Sequence, residues 1–209
     1  MTKRTLGPLD STFAPQTTSP LICLWDMDGV MVEWDEDFWI EVMKLQPELH
    51  LPPVHERMSY NMLESVPGLT EDTMTTVLNM PGFYAKLKPI DAAIDAFKEM
   101  NALGIKTFIA SAPTTTNPDC ASDKYNWVAR VLGQDVADRT ILSRDKTLLH
   151  GRFLIDDKDT IKGHHTPAWE HVVADKHYNQ HSQALRRLTD FAEWRDIMPE
   201  LLTSETTHV

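Results

Sequence analysis

Two carboxylates one residue apart, Asp26 and Asp28, follow directly on the apolar run Leu21-Ile22-Cys23-Leu24-Trp25 and precede Gly29-Val30. An apolar run that stops at an acid reads as a strand buried on both faces, ending at the mouth of a parallel sheet. Open α/β sheets bind ligands at the carboxyl ends of their strands, which is where these two acids fall. In an extended chain Asp26 and Asp28 point the same way. Crowded carboxylates repel unless a cation or a shared proton compensates, so the pattern points to a metal site with an attacking carboxylate. Gly29 lets the backbone turn tightly or approach a ligand closely.

Other strand ends carry matching chemistry. Ile105 to Ala110 is a second buried strand, ending at Ser111-Ala112-Pro113. Thr140-Ile141-Leu142 is a short strand leading into Ser143-Arg144-Asp145-Lys146-Thr147. Phe153-Leu154-Ile155 is a further strand, ending at Asp156-Asp157. Hydroxyl, cation and acid pair together suit one phosphate. Phosphoester hydrolysis needs a nucleophile, an acid for the leaving oxygen, and positive charge on the equatorial oxygens. A carboxylate can attack phosphorus and form an aspartyl-phosphate. Mg²⁺ prefers oxygen ligands and uses one or two carboxylates together with substrate phosphate.

The elements that must hold these residues alternate. After the first strand, Phe38, Trp39, Val42, Met43 and Leu45 recur at helical spacing until Pro47, Pro52 and Pro53 interrupt. Thr70 is a suitable N-cap for a second helix with Met74, Val77 and Leu78 on one face, ended by Pro81-Gly82. Asp91 is expected to cap a helix with Ala93, Ile94, Phe97 and Met100 inward, closed by Gly104. Lys124 to Leu132 reads as a helix with Gly133 past its end. His171 to Ala174 reads as the last strand, and Trp194 to Leu202 as an amphipathic terminal helix. Alternating strands and helices imply a parallel sheet covered on both faces.

At 209 residues the chain has room for one core and a modest insertion. A net charge of -11 argues against a nucleic-acid polymer as partner, since backbone phosphates select for Lys and Arg. A small phosphorylated ligand needs only a few local cations. Cys23 inside the strand and Cys120 in a polar loop give no disulfide framework, which fits a reducing compartment. No apolar stretch has the length of a transmembrane helix. Residues 1–20, rich in Thr, Ser and Pro, lack a secretory apolar block and read as a flexible leader. The expectation is a cytoplasmic protein without a membrane partner.

Asp26-Met-Asp-Gly-Val30, Ser111 after Thr107-Phe-Ile-Ala110, Lys146, and Leu154-Ile-Asp-Asp157 occur in that order. The set resembles the haloacid dehalogenase superfamily of phosphotransferases. The resemblance narrows to the 5'(3')-deoxyribonucleotidases through Phe108-Ile-Ala-Ser-Ala-Pro113, Asp123-Lys-Tyr125 with Trp127-Val128, and Leu142-Ser-Arg-Asp-Lys-Thr147. Thr166-Pro-Ala-Trp-Glu-His171 and His177-Tyr-Asn-Gln-His181 complete it. It implies Asp26 as nucleophile and Asp28 as general acid and base. Ser111, Ala112, Lys146 and Arg144 would bind the phosphoryl group. Mg²⁺ would be held by Asp26, the carbonyl of Asp28 and Asp157, with Asp156 near or through water. Trp34 falls where the family places an aromatic over the nucleobase, and the substrate would be a nucleoside monophosphate. The implied fold is α/β: a Rossmann-like parallel sheet with helices on both faces and a small helical cap after the first strand. The core would comprise 21–32 and 87–203, the cap 33–86, and 204–209 a flexible tail. The family often has Thr-Ser where this chain has Ser111-Ala112, so one phosphate-binding hydroxyl is replaced by backbone N–H alone.

Plainer readings compete at several positions. Arg144 can instead hold an active-site carboxylate in place. Lys124 opens a helix and reads as surface or supporting rather than catalytic. Trp34 suits base stacking and cap packing equally. His177 and His181 stand at i, i+4 but lack an acid or Cys set for zinc, so they are expected, with Asn179 and Gln180, to hydrogen-bond within the fold. Trp127, Trp169 and Trp194 are assigned to packing. The rival activities are a phosphatase acting on a non-nucleotide phosphomonoester and a silent phosphate-binding protein. A symmetric homodimer is the commonest assembly for such a chain.

Overall fold

The computed structural model describes residues 21–203; the expected leader and tail lie outside the described residues. Six strands form one sheet: β1 Ile22–Trp25, β2 Lys106–Ser111, β3 Ile141–Leu142, β4 Phe153–Asp156, β5 Glu170–Ala174 and β6 Arg186–Leu188. Their order is β3-β2-β1-β4-β5-β6, and every pairing is parallel. From β1 the chain moves outward to β3, then returns to place β4 beside β1. A reversal of this kind opens a crevice at the carboxyl ends of the two central strands. Asp26 directly follows β1 and Asp156 ends β4, so the topology brings these acids to one point.

The apolar run of β1 is central because no face of it meets water: Cys23, Leu24 and Trp25 are fully buried. Alternation sends Cys23 and Trp25 into the main core and Leu24 into a smaller cluster with Ala110, Leu154 and Trp169. Trp25 meets the ring of Phe97 edge-on and stacks on Phe191.

Between β1 and the next core helix lie α1 Trp34–Leu45, α2 Met62–Ser65 and α3 Glu71–Leu78, with α1 and α3 packed together. Thr70 caps α3 as expected, its hydroxyl accepting the Thr73 N–H at 3.1 Å. Then come α4 Asp91–Ala102, α5 Cys120–Leu132, α6 Gln134–Ala137 and α7 Trp194–Ile197.

Four expectations are corrected. Ile90, not Asp91, occupies the N-cap of α4, and Asp91 is its first residue. Cys120 is not in a polar loop; it opens α5 and is buried, four residues ahead of the expected start. The polar stretch Asn117-Pro118-Asp119 hides that start, although the Asn117 amide donates to the Leu78 carbonyl at 2.8 Å and ties α3 to the core. The last strand is β6 rather than β5. Two adjacent arginines conceal it, and as an edge strand it neutralises them through Arg186 with Glu170 and Glu200, and Arg187 with Asp175. The terminal helix stops at Ile197 and resumes as a 3₁₀ turn over Pro199–Leu202, because proline cannot continue the hydrogen-bond ladder.

Candidate active site

Asp26 is held in the crevice by its own backbone, whose N–H donates to the Ile155 carbonyl of β4 at 2.8 Å. Its carboxylate accepts from the Lys146 ammonium at 2.7 Å, and the same ammonium reaches Asp156. Carboxylate oxygens of Asp26, Asp156 and Asp157 lie within 4.8 Å of one another, all three buried. Three carboxylates against one lysine leave negative charge in a dry place, which a hard divalent cation fits. Asp156 already accepts from Lys146 and from the Lys158 N–H. Asp26 and Asp157 each keep one oxygen without a donor among the described residues, so they are better placed to ligate.

Titration follows from this crowding. Burial pushes the Asp26 carboxyl up, and Asp156 and Asp28 add to it against the pull of Lys146. Burial likewise raises Asp157 to about 7, reinforced by Asp156 and Asp26. Burial opposes ionisation of Asp156 too, but Lys146 and the Lys158 backbone overcome it and hold Asp156 below the usual range. For Lys146 burial favours the neutral amine, yet Asp156 and Asp26 outweigh it and keep the group charged.

Lys146 owes its position to the turn around it. Asp145 caps the 3₁₀ turn Lys146–Leu148 by accepting the Thr147 N–H at 3.0 Å, and also accepts from the His164 backbone at 2.8 Å. The Thr147 hydroxyl, which also donates to Asp145, and then the His164 backbone hold the Asp145 carboxyl far below the carboxylate range. The Trp169 indole donates to the Lys146 carbonyl at 3.0 Å, so this tryptophan, assigned to packing, also fixes the lysine's backbone.

Asp28 does not join the acid cluster through its side chain. Its two oxygens accept from the Lys124 ammonium at 2.6 Å, and that ammonium donates to Ser111 Oγ at 3.0 Å. Lys124 is therefore not a surface residue: it is wholly buried between two predicted site residues. Its i+3 and i+4 neighbours, Trp127 and Val128, are core residues, and that helical phase is the sequence signal that Lys124 points inward. Arg144 holds no carboxylate among the described residues; it is exposed and donates to Thr115 Oγ1 at 3.1 Å.

A cleft of about 490 Å³ opens from Asp28 and Asp157, bordered by Trp34, Tyr60, Met62 and Tyr84, with Ala112 and Arg144 at its rim. Trp34 stacks on Phe38 at 4.8 Å and still lines the cleft, so packing and lining coincide. Tyr60 and Tyr84, which the sequence did not single out, add to the aromatic lining. Arg57, also unforeseen, is buried. It pairs with Asp35, donates to the carbonyls of Ser59 and Tyr60, and stacks 4.0 Å over the Tyr178 ring. Tyr178 in turn donates to Asp157, and Asn179 donates to the Asp157 carbonyl at 2.7 Å. His181 contacts Asp159 rather than a metal-ligand set.

Residues 20–204 match the family described as 5' nucleotidase, deoxy (pyrimidine), cytosolic type C protein (NT5C). The chain is 36% identical to the human cytosolic-type 5'(3')-deoxyribonucleotidase, covering 84% of this chain and 92% of that protein. It is 30% identical to the mouse mitochondrial 5'(3')-deoxyribonucleotidase, over 92% and 91% of the two chains. In fold it resembles a haloacid dehalogenase family hydrolase from Deinococcus radiodurans, solved with phosphate and sodium, at a TM-score of 0.55 and 15% identity over 88% and 97% of the chains. The chain thus shares the fold of a haloacid dehalogenase family hydrolase, belongs to the 5' nucleotidase, deoxy (pyrimidine), cytosolic type C family, and is a phosphoric monoester hydrolase.

Proposed function

We propose that this protein is a Mg²⁺-dependent 5'(3')-deoxyribonucleotidase of the cytoplasm, converting deoxynucleoside monophosphates to nucleoside and phosphate. The observation that carries this reading is the buried Asp26–Lys146–Asp156 contact at the sheet crevice, opening onto an aromatic cleft. Asp26, Asp157 and the carbonyl of Asp28 would hold Mg²⁺, with Asp156 nearby, and the cation would neutralise the nucleophile and the phosphoryl oxygens.

Asp26 attacks phosphorus to give an aspartyl-phosphate while Asp28 protonates the departing sugar oxygen. Asp28 then takes a proton from the water that hydrolyses the acyl phosphate. Lys146, Ser111 and the backbone N–H of Ala112 bind the phosphoryl oxygens, and Arg144 faces them from the rim. A phosphoryl group at Ser111 draws on the same ammonium that Asp28 uses, so Lys124 ties the position of Asp28 to that of the bound phosphate. Residues 33–86 act as a cap that excludes water and presents Trp34 to the base. Trp34, Tyr60 and Tyr84 give the cleft stacking surface that a nucleobase can use and a sugar phosphate cannot, which favours a nucleotide.

Phosphate release measured over 5' and 3' deoxy- and ribonucleoside monophosphates, with sugar phosphates alongside, tests this. The expected result is Mg²⁺-dependent turnover with kcat/KM highest for deoxynucleotides. Asp26→Asn is expected to abolish it without loss of fold. Comparable turnover of sugar phosphates, or an active Asp26→Asn protein, would refute the substrate or the mechanism respectively.

A further inference from the structure

We propose that Tyr178 and Arg57 form a strut that carries the seating of the cap to Asp157, which makes Tyr178 a positioning residue for the carboxylate that takes up the cation. The inference rests on the metal reading given above. Burial, Asp156 and Asp26 all oppose an ionised Asp157, so a carboxylate free to rotate would turn away from the cluster before any cation arrived. The Tyr178 hydroxyl prevents that. It donates to one Asp157 oxygen, Oδ2, and leaves the other without a donor among the described residues. A Cβ at Gly29 would stand 2.5 Å from that same Oδ2 and 3.2 Å from the hydroxyl, so the backbone beside the nucleophile closely bounds the pair. The Asn179 amide fixes the chain behind both residues by donating to the Asp157 carbonyl at 2.7 Å and the Ala174 carbonyl at 2.8 Å.

A ring that aims a carboxylate must itself be held. Tyr178 is buried, with the Arg57 guanidinium 4.0 Å from its ring centre and the Tyr60 ring edge-on at 5.9 Å. Arg57 and Tyr60 belong to the cap segment, whereas Tyr178 and Asp157 follow β5 and β4 of the core. Arg57 is fixed in turn by Asp35, in the first turn of α1, and by the carbonyls of Ser59 and Tyr60. A planar fork whose edge is engaged by three acceptors leaves its face for an aromatic ring, an arrangement that lysine cannot reproduce. Arg57 pairs with Asp35 and makes no ion pair with Asp157 among the described residues. The contacts therefore run from α1 through Arg57 and the tyrosine ring, and the phenol hydroxyl is the last link. A seated cap presents the cation with a ligand already in place, and binding then orders less. A displaced cap frees the ring and, with it, the carboxylate.

Tyr178→Phe removes the hydroxyl and keeps the ring, while Arg57→Lys keeps the charge and removes the planar face. Mg²⁺ binding is measured by calorimetry without substrate for the unmodified protein, each variant and the double variant, with Tm in EDTA alongside. Tyr178→Phe is expected to raise the Mg²⁺ Kd about tenfold or more, and Arg57→Lys about threefold or more. The double variant is expected to lie within about twofold of Tyr178→Phe, because the link that Arg57 acts through is already cut. In phosphate release, the Mg²⁺ concentration for half-activation should rise with Kd, and kcat at saturating Mg²⁺ should fall less. If Arg57→Lys does not fold, Asp35→Asn, which loosens the same guanidinium, takes its place. An unchanged Kd in Tyr178→Phe with a lower Tm in EDTA overturns the strut, since the hydroxyl then only satisfies its own burial. An equal effect of Arg57→Lys in both backgrounds also overturns it. If the unmodified protein takes up no Mg²⁺, the metal reading fails on its own, and Tm in EDTA for Arg57→Lys, Asp157→Asn and their double variant decides the strut. A combined loss short of the sum upholds the link between these residues, and an additive loss overturns it.

Discussion

Gly29 lies against Asp157 at a backbone φ of +73°, and a Cβ built there comes within 2.5 Å of the Asp157 carboxylate and 3.2 Å of the Tyr178 hydroxyl. Alanine at this position pays twice, once in backbone strain of about 1–2 kcal/mol and once by displacing the carboxylate proposed above to hold Mg²⁺. Gly29→Ala is expected to lower Tm by roughly 2–8 °C and to weaken Mg²⁺ activation about tenfold or more. A thermal scan together with a Mg²⁺ titration checks both; normal Mg²⁺ activation would mean that Asp157 does not depend on Gly29. Lys124 makes a different demand. Lys124→Met keeps the length of the side chain and removes the charge that Asp28 and Ser111 share, so kcat is expected to fall about 10²-fold. Asp28 was readable because it follows a buried strand. Lys124 was harder to read, because a lysine in a mixed helix ordinarily means solvent and only the core phase of Trp127 and Val128 says otherwise.

Elements divide the labour. The strands bring Asp26, Ser111 and Asp156 to one edge, and these were legible because each ends an apolar run. The segment between β1 and α4 was less so: its helical spacing showed α1 and α3, while the short α2 and the turn that precedes it carry no periodicity. That turn presents Tyr60 to the cleft and holds it through Arg57, which accepts the cost of burial because Asp35 and two carbonyls satisfy its guanidinium. No local pattern announces a buried arginine. If Tyr60 stacks on the base, Tyr60→Ala is expected to raise KM for nucleotides about tenfold, from a stacking contribution of roughly 1–3 kcal/mol. Turnover of glycerol phosphate, which has no base, is expected to change little. Kinetics on the two substrates separate this from a general disturbance of the cap, which would lower both.

At the scale of the whole molecule the acid cluster links cation binding, protons and stability. Asp157 binds its proton more tightly in the folded protein, with a pKa near 7, than in the unfolded chain, where carboxylates titrate near about 4. Without a divalent cation this group favours the fold fully below about pH 4, and that contribution is lost as pH rises through about 7. A bound cation reverses the preference, because it requires the ionised carboxylate and must displace the proton below pH 7. The Tm gained on adding Mg²⁺ over EDTA is therefore expected to be larger at pH 8 than at pH 6, with apparent affinity falling up to about tenfold per pH unit below 7. In EDTA alone, Tm is expected to fall from pH 6 to pH 8. Thermal shifts at the two pH values measure both, and Asp157→Asn, which has no proton to exchange, should flatten the difference. An equal Mg²⁺ gain at both pH values in the unmodified protein would mean that Asp157 is already ionised in the fold, and that Tyr178 and Lys176 suffice to hold its charge.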